Sequence, residues 1–406
     1  MQFWLEATPA ARRALIAASL GWMLDAFDVM LYALVLTSLR TDLGIDAATA
    51  GGLQSLTLLA SAAGGLMFGV IADRWGRVRA LMLSVLLYSV FTAACGVAQT
   101  AAQLAVFRIF LGIGMGGEWA SGAALVSETW PDRHRGKALG LMQSAWAIGY
   151  ALAAIVNLVV QDIMGLGWRA VFFVGVFPAV YAFWVRRRVE EPALWQQARA
   201  RPSRVSLGQA VGGSMLGVTV AITLMNACTM FAWWGFNTWV PSYLRLSPAS
   251  GGIGLSSAAM NFFIVAMQVG MWFGYVTFGF VADTVGRKVT YIAYLGLAAV
   301  FVLMYATTSS EWALFALGPP TAFFATGFFS GYGAVTAELY PTDIRATAQG
   351  FTYNVGRIAS AAAPYVVGGL TETRGFPAAL SVAAAAYAIA ALFWIAIPET
   401  KGRVIK

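Results

Sequence analysis

Five ionisable side chains lie inside long apolar runs of this 406-residue sequence: Asp25, Asp28, Arg108, Glu118 and Arg357. At the centre of a lipid bilayer, a charged group costs at least ~2.5 kcal/mol. Residues placed there usually pair with another charge, carry a proton or bind a charged molecule. These five positions are therefore the first candidates for chemistry.

Asp25 and Asp28 are three residues apart, so on a helix their carboxylates lie one above the other on the same face. Asp25 lies about eleven residues into its run, which at ~1.5 Å per residue places it near the membrane midplane. Two neighbouring carboxylates in a low dielectric cannot both ionise easily, so one is expected to hold a proton near neutral pH. The pair is a candidate for proton coupling, although Asp28 could instead only neutralise Arg108.

Arg108 and Glu118 share one apolar run, on either side of the glycine series Gly112, Gly114, Gly116 and Gly117. By depth, Arg108 lies near the level of Asp28, where an ion pair would stabilise the ionised aspartate and protonation would release the arginine. Glu118 lies ten residues further along the run, in the half of the bilayer opposite to that of Arg108. It could be a second proton site or the partner of a residue that the sequence does not identify.

Arg357 lies at the same depth as Asp25 but in the C-terminal half, with no acidic residue in its own run. A guanidinium stays charged in proteins, and its planar fork matches a carboxylate bidentately. We therefore predict that the missing counter-ion is a carboxylate substrate. The alternative is a salt bridge across the interface to Asp25, Asp28 or Glu118.

Polar and aromatic residues at similar depth could complete a binding site. Amides can orient a hydroxyl or carbonyl group, and indole faces can pack an apolar body. Each of these residues could equally serve helix packing. The candidates are Tyr353, Asn354, Asn237, Trp233, Trp234, Gln143, Trp146 and Tyr32.

The composition identifies the elements that must position these residues. Apolar residues make up 59% of the chain and charged residues 11%, against roughly 25% charged in soluble proteins. Cys95 and Cys228 lie in apolar runs and His134 in a charged loop, which argues against a metal site, a disulfide framework or any cofactor. No nucleophile–base set lies at membrane depth, so an enzyme is not expected. The first apolar run has no cleavage site and is expected to remain as a span.

The fold class that follows is an all-α polytopic membrane protein with twelve transmembrane helices in two six-helix halves around a central cavity. The halves are expected at 1–187 and 215–406, joined by a polar connector at 188–214. The predicted spans are 14–39, 49–72, 79–98, 102–127, 137–160, 168–187, 215–244, 256–282, 289–307, 311–336, 346–370 and 376–397.

Basic residues predict the orientation. If the N-terminus is cytoplasmic, twenty of the 26 Lys and Arg residues lie on the cytoplasmic side and two lie inside spans. The other four, Arg40, Arg169, Arg245 and Arg374, lie outside. This bias predicts cytoplasmic termini. It also explains the basic pI by membrane topology, without nucleic-acid binding.

An internal repeat supports two halves. GVIADRWGR at 69–77 recurs as GFVADTVGR at 279–287, and Glu128 and Arg135 recur as Glu338 and Arg345. Both recurrences have an offset of 210 residues. Halves related by an axis along the membrane normal place a cavity at their interface.

These paired loops, with RIFLGIGMGG at 108–117 and PETKG at 398–402, resemble the major facilitator superfamily over the whole chain. GWMLDAFDVMLYALVL, GMGGEWASGAALVSETWP and YNVGRIASAAAP are similar to proton symporters of organic acids, first the sialate and lactate group, then the aromatic-acid group. The resemblance implies a monomeric transporter of a bacterial-type inner membrane. It would take up a small organic anion with protons, such as lactate or an aromatic or sugar acid, and Arg357 would bind the carboxylate.

Within this resemblance, the loop glycines should let neighbouring helices approach, and the loop charges should hold the halves together when the cavity opens outward. The alternative is that they are turn residues and topology signals. The gating candidates are Asp73, Arg74, Arg77, Glu128, Arg135, Asp283, Arg287, Glu338 and Arg345.

Two departures narrow the function. The fifth span lacks the Gly-Pro pair of drug–proton antiporters, and the seventh lacks the paired glutamines of sugar porters. Two alternatives stay open: an organic-anion uniporter or antiporter without proton coupling, and a non-transporting membrane sensor.

Overall fold

The computed structural model describes residues 4, 6–181, 184, 189–191, 215–340 and 345–402. Within these ranges the side chains of 73, 120, 132, 133 and 345–347 are not described. Most of the connector, the end of span 6 and the side chains of Asp73 and Arg345 therefore lie outside the described residues.

The N-terminal half contains six spans, in agreement with the prediction. Span 5 ends in the π-helical segment Leu158–Ile163, and the described part of span 6 extends to Tyr181. The helices are Pro9–Leu43, Ala47–Trp75, Arg77–Cys95, Ala101–Thr129, Asp132–Asn157 and Gly167–Val174, for spans 1 to 6 in order.

The C-terminal half repeats this arrangement. Spans 7, 8 and 9 are Leu216–Arg245, Ser257–Val285 and Arg287–Thr307. Span 10 runs over Glu311–Leu339 and is interrupted by the 3-10 turn Phe328–Gly331. Span 11 begins with Arg345–Ser360 and continues into Ala363–Phe393, where Gly375, with φ 78°, separates it from span 12. The described residues thus contain all of the twelve predicted spans, the sixth only in part.

Close helix packing follows the 210-residue repeat. A Cβ atom added to Gly64 of span 2 would collide with the carbonyl oxygen of Ile113 in span 4. One added to Gly274 of span 8 would collide with the carbonyl oxygen of Phe323 in span 10, at the same offset. Small residues allow such backbone contacts between membrane helices. The two halves are therefore built on the same internal packing.

The side of the bundle that carries the 69–77 and 279–287 loops and both chain ends is called the basic side here, and the other is called the far side. On the far side the halves are in contact. Asn157 of span 5 donates to Asn261 of span 8 at 3.0 Å, and Gly51 of span 2 lies directly against the carbonyl of Pro364 in span 11. Gly368 of span 11 lies directly against Ala47 of span 2. These contacts close the interface above its centre.

Candidate functional site

Asp25 and Arg357 lie at the centre of the interface between the halves. Span 1 contributes Asp25, which is 1% exposed, and span 11 contributes Arg357, which is 3% exposed. The two side chains are close enough to interact electrostatically. However, among the described residues no carboxylate lies within 4.0 Å of the Arg357 guanidinium. Arg357 is thus a buried cation without a direct ion pair.

Two further carboxylates surround Asp25. Glu118 of span 4 is fully buried against Gly21 of span 1 and interacts electrostatically with Asp25. Asp28 is 1% exposed and points toward spans 3 and 6, because a Cβ atom at Gly175 would lie 3.0 Å from its Oδ1 and against Thr92. The three acids therefore form a buried cluster inside the N-terminal half.

Most oxygen atoms of this cluster have no hydrogen-bond partner among the described residues. They are both oxygens of Asp28, both of Glu118 and Oδ2 of Asp25. An ionised carboxylate in such surroundings costs several kcal/mol more than a neutral one. The arrangement therefore suits groups that exchange protons rather than permanent anions.

Tyr353 connects Arg357 to the opposite half. Its ring lies 5.7 Å from the Arg357 guanidinium carbon and stacks on Trp119 of span 4, with centroids 4.2 Å apart and planes 2° from parallel. Asn354 donates to its own helix at Gly350, and its Oδ1 faces Gly65 of span 2. Both residues thus lie at the interface, as a site requires.

A cluster of indoles lies beside this centre. Trp22 of span 1 packs on Trp146 of span 5 at 4.7 Å, and Trp146 meets the edges of Trp233 and Trp234 of span 7. The buried indole N–H groups of Trp22, Trp146 and Trp233 have no acceptor among the described residues. Sequence reasoning missed Trp22, although its position three residues before Asp25 places it on the same helix face.

The two amides of the predicted site have different surroundings. Asn237 is 5% exposed, and its side chain donates to the carbonyl of Trp233 at 3.0 Å, one turn earlier on span 7. Gln143 of span 5 lies beside Tyr275 of span 8. Asn237 is thus held by its own helix, whereas Gln143 lies at the interface.

Arg108 and Tyr32 do not lie where sequence reasoning placed them. The Arg108 guanidinium lies 3.8 Å from the ring centroid of Tyr32 and donates to Gln54 and to the carbonyl of Leu53. The Tyr32 hydroxyl donates to the carbonyl of Ala50 at 2.8 Å. The expected Arg108–Asp28 pair does not form, because Arg108 faces span 2 whereas Asp28 faces spans 3 and 6. Arg108 and Tyr32 instead join span 1 to spans 2 and 4.

The loop charges on the basic side pair within each half. Arg77 binds Glu128 at 2.8 Å, and Arg287 binds Glu338 at 2.9 Å as well as Asp283. Each arginine pairs within its own half because it starts the third helix of that half, beside the end of the fourth. The far side is closed in this structure, so the expectation that loop charges hold the halves together when the cavity opens outward stays a prediction.

Two glutamates missed by sequence reasoning complete these loops. Glu191 accepts hydrogen bonds from the backbone of Val78, and Glu399 accepts them from the backbone of Arg287 and Lys288. Partial burial opposes ionisation of Glu399, but the backbone N–H groups that donate to it outweigh this and lower its pKa. The signal was present: each glutamate follows the last span of its half, next to a proline.

The loop glycines serve a different purpose from the one expected. Gly69 and Gly279 have open space around their Cα atoms and bring no helices together. Gly76 and Gly286 have φ of 115° and 120°, which only glycine adopts without strain, and Glu191 and Glu399 lie against them. The glycine is needed for the turn itself.

Two six-span repeats, with Asp25 and Arg357 buried at their interface, define a membrane transporter rather than an enzyme. Residues 18–270 and 246–406 match the family model of the Major Facilitator Superfamily. The chain belongs to this family.

Similar proteins and solved structures agree with this family assignment. The chain is 32% identical to the cis,cis-muconate transport protein of Acinetobacter baylyi, over 93% of this chain and 91% of that protein. It is 26% identical to the sialic acid transporter NanX of Escherichia coli, over 100% and 98%. The fold resembles the partially occluded inward open xylose transporter XylE from E. coli, with TM-score 0.79, 19% identity and coverage of 98% and 100%.

Proposed function

We propose that this protein carries a small organic acid anion across the membrane together with protons, by alternating access of the central site. The observation that carries the proposal is Arg357, a buried guanidinium with no carboxylate within 4.0 Å among the described residues. An entering carboxylate would supply the missing charge and match the planar fork. The transport of muconate and sialic acid by the relatives agrees with this chemistry.

The neighbourhood of Asp25 and Arg357 offers a coupling mechanism. While Asp25 is ionised, it attracts Arg357 and competes with an entering anion. Once Asp25 is protonated, the full charge of Arg357 is available to the substrate. Proton and anion therefore favour each other's binding, and this reciprocity is what symport requires. Asp28 and Glu118 extend the proton-binding cluster, and Tyr353, Asn354 and the indoles would contact the body of the substrate.

The basic side is proposed to face the cytoplasm of a bacterial inner membrane, since the positive-inside bias is twenty to four. The pairs Arg77–Glu128 and Arg287–Glu338 would then stabilise the cytoplasmic loops of each half. Asp73, Arg74, Arg135 and Arg345 remain gating candidates on the same side.

The test is the binding of acids and their amides to purified protein. The acids are cis,cis-muconate, benzoate, lactate and sialic acid. Wild type should prefer at least one acid over its amide. Arg357→Lys should weaken that preference, because lysine keeps the charge but loses the fork, and Arg357→Ala should abolish it. Two charge-assisted hydrogen bonds of ~1.5–3 kcal/mol each correspond to a loss of at least about a hundredfold. An unchanged preference in Arg357→Ala would make this arginine a structural residue.

A second candidate is an organic-anion exchanger without proton coupling. The observation that favours it is the same contact, because Asp25 could serve only to neutralise Arg357 in the empty state. In that case the wild type would not accumulate substrate when a pH gradient is imposed. Asp25→Asn would still exchange substrate. Uptake into proteoliposomes with and without the gradient separates the two functions.

A further inference from the structure

A cavity of about 620 Å³ opens on the far side, between the two halves. Span 1 lines it with Thr37, Ser38, Thr41 and Asp42, span 6 with Trp168, and span 7 with Arg245. It lies roughly 18 Å from Asp25 along span 1, as twelve residues at ~1.5 Å each require. The cavity is therefore separate from the central site.

Arg245 is the one cation in the lining, and its charge is not compensated. Its Nη1 atom is buried and has no hydrogen-bond partner among the described residues, and none of their ion pairs includes it. The acid in the same lining, Asp42, is already held by Arg169 at 2.5 Å and by the indole of Trp168 at 3.3 Å. A guanidinium that lines a cavity and forms no ion pair among the described residues is a binding group for an anion.

The hydroxyl groups of the lining add weaker donors. Thr37 donates to Ser242 at 3.4 Å and Ser38 to Gln161 at 3.3 Å, and both distances are longer than the usual range for hydroxyl donors. Either hydroxyl can turn toward a carboxylate at little cost.

We propose that this cavity is an outer capture site, in which Arg245 binds the carboxylate of an organic anion before the far side opens. The assignment rests on the proposed function, since it takes the transported substrate to be an organic anion. It adds a binding site that Arg357 and Asp25 do not form. The competing interpretation is that Arg245 only complements the carbonyl end of span 7.

The experiment measures the site without transport. Thr41, which is exposed, is changed to cysteine in a background in which Cys95 and Cys228 are replaced by alanine. The labelling rates of an anionic, a cationic and a neutral methanethiosulfonate reagent are then compared. With Arg245 present, the anionic reagent should react faster and the cationic one slower, relative to the neutral one. In Arg245→Ala or Arg245→Gln this preference should fall by about threefold, and Arg245→Lys should retain it.

Protection is measured in the same samples with cis,cis-muconate, benzoate, lactate and sialic acid. At least one acid should slow labelling when Arg245 is present and should not do so in Arg245→Ala. The matched control is Arg374→Ala, which removes an exposed charge from the same side outside the cavity lining. The proposal is overturned if no acid protects, if protection survives in Arg245→Ala or Arg245→Gln, or if Arg374→Ala has the same effect.

Two outcomes distinguish this proposal from the proposed function. Protection that depends on Arg245, in a protein whose Arg357→Ala variant keeps its acid preference, supports the capture site and contradicts the central one. If Arg357→Ala loses its acid preference but no acid protects position 41 from labelling, the central site is supported and the capture site is contradicted.

Discussion

The electrostatic attraction between Asp25 and Arg357 acts across the interface, between a titratable group of one half and a permanent cation of the other. Neither side chain has water access of any extent, since they are 1% and 3% exposed. A change in the charge of Asp25 is therefore felt at Arg357 with little screening.

Asp25→Asn tests that dependence. Asparagine is neutral at every pH, so it imitates the protonated aspartate. In wild type the affinity for a transported acid should rise as pH falls, because protonation of Asp25 releases Arg357. In Asp25→Asn the affinity should be high and independent of pH, accumulation driven by a pH gradient should be lost, and exchange should persist. Binding measured at three pH values checks this, and a wild type whose affinity does not change with pH would contradict it.

From the sequence alone, buried charges could be paired only by their depth in the membrane, and depth predicted the pairs only in part. Counting residues along a helix gives the level of a side chain but not the direction in which it points. Asp28 and Arg108 were placed at one level, yet they face different neighbours. Asp28 faces Gly175, and Arg108 faces the carbonyl of Leu53. The direction depends on which helices are adjacent, and only the folded structure contains that information.

At the scale of helices, Glu191 and Glu399 act as acceptors for the first backbone N–H groups of spans 3 and 9. A carboxylate at a helix N-terminus contributes about 0.3–1 kcal/mol. The repeat thus includes a tie between the chain that follows the last span of each half and the start of its third span. The sequence shows a glutamate beside a proline after the last span of each half, but not which backbone N–H groups it binds.

Glu399→Gln should lower the thermal stability at neutral pH, because glutamine has no charge to interact with the helix N-terminus. The folded pKa of Glu399 is lowered, so its contribution is present above the unfolded pKa of about 4.3 and is lost as pH falls through the folded pKa. The difference in melting temperature between wild type and Glu399→Gln should therefore shrink below about pH 4. A difference that grows in acid would contradict the assignment.

The loop glycines allow a matched comparison. Gly286 has φ 120° and ψ 152°, a conformation essentially restricted to glycine, and an added Cβ atom would lie 2.9 Å from Glu399. Gly286→Ala should therefore destabilise the protein by about 1–3 kcal/mol. Gly279→Ala, in the same motif but with nothing within 4 Å, should have little effect. Thermal unfolding of both variants in detergent checks this, and equal losses would show that the turn carries no strain.

At the scale of the whole molecule, the twelve spans and the two halves were predictable because hydrophobic runs and a constant offset depend only on sequence. The state of the interface was not. Whether the far side is open or closed depends on contacts between distant segments, such as Gly368 with Ala47 and Asn157 with Asn261. No local pattern encodes these contacts.

Ionic contacts reinforce the closed far side. Glu372, in the last turn of span 11, accepts a hydrogen bond from the backbone N–H of Ala47 at 2.5 Å and pairs with Arg40 at 3.4 Å. It therefore joins the C-terminal half to the first turn of span 2. For the central site to reach the far side, these contacts and the glycine contacts beside them must separate.

Gly368→Ala tests whether this closure is needed for the transport cycle. An added Cβ atom would lie 2.6 Å from the carbonyl oxygen of Ala47 in the other half, which leaves no room for the closed arrangement. The variant should favour the state that is open on the far side. A cysteine introduced at Asn237 should then react faster with a membrane-impermeant reagent added on that side, and transport should slow. Gly369→Ala adds the same methyl group where nothing lies within 4 Å, so its labelling and transport should match those of wild type. If Gly368→Ala leaves the labelling rate unchanged, the far side closes without this contact.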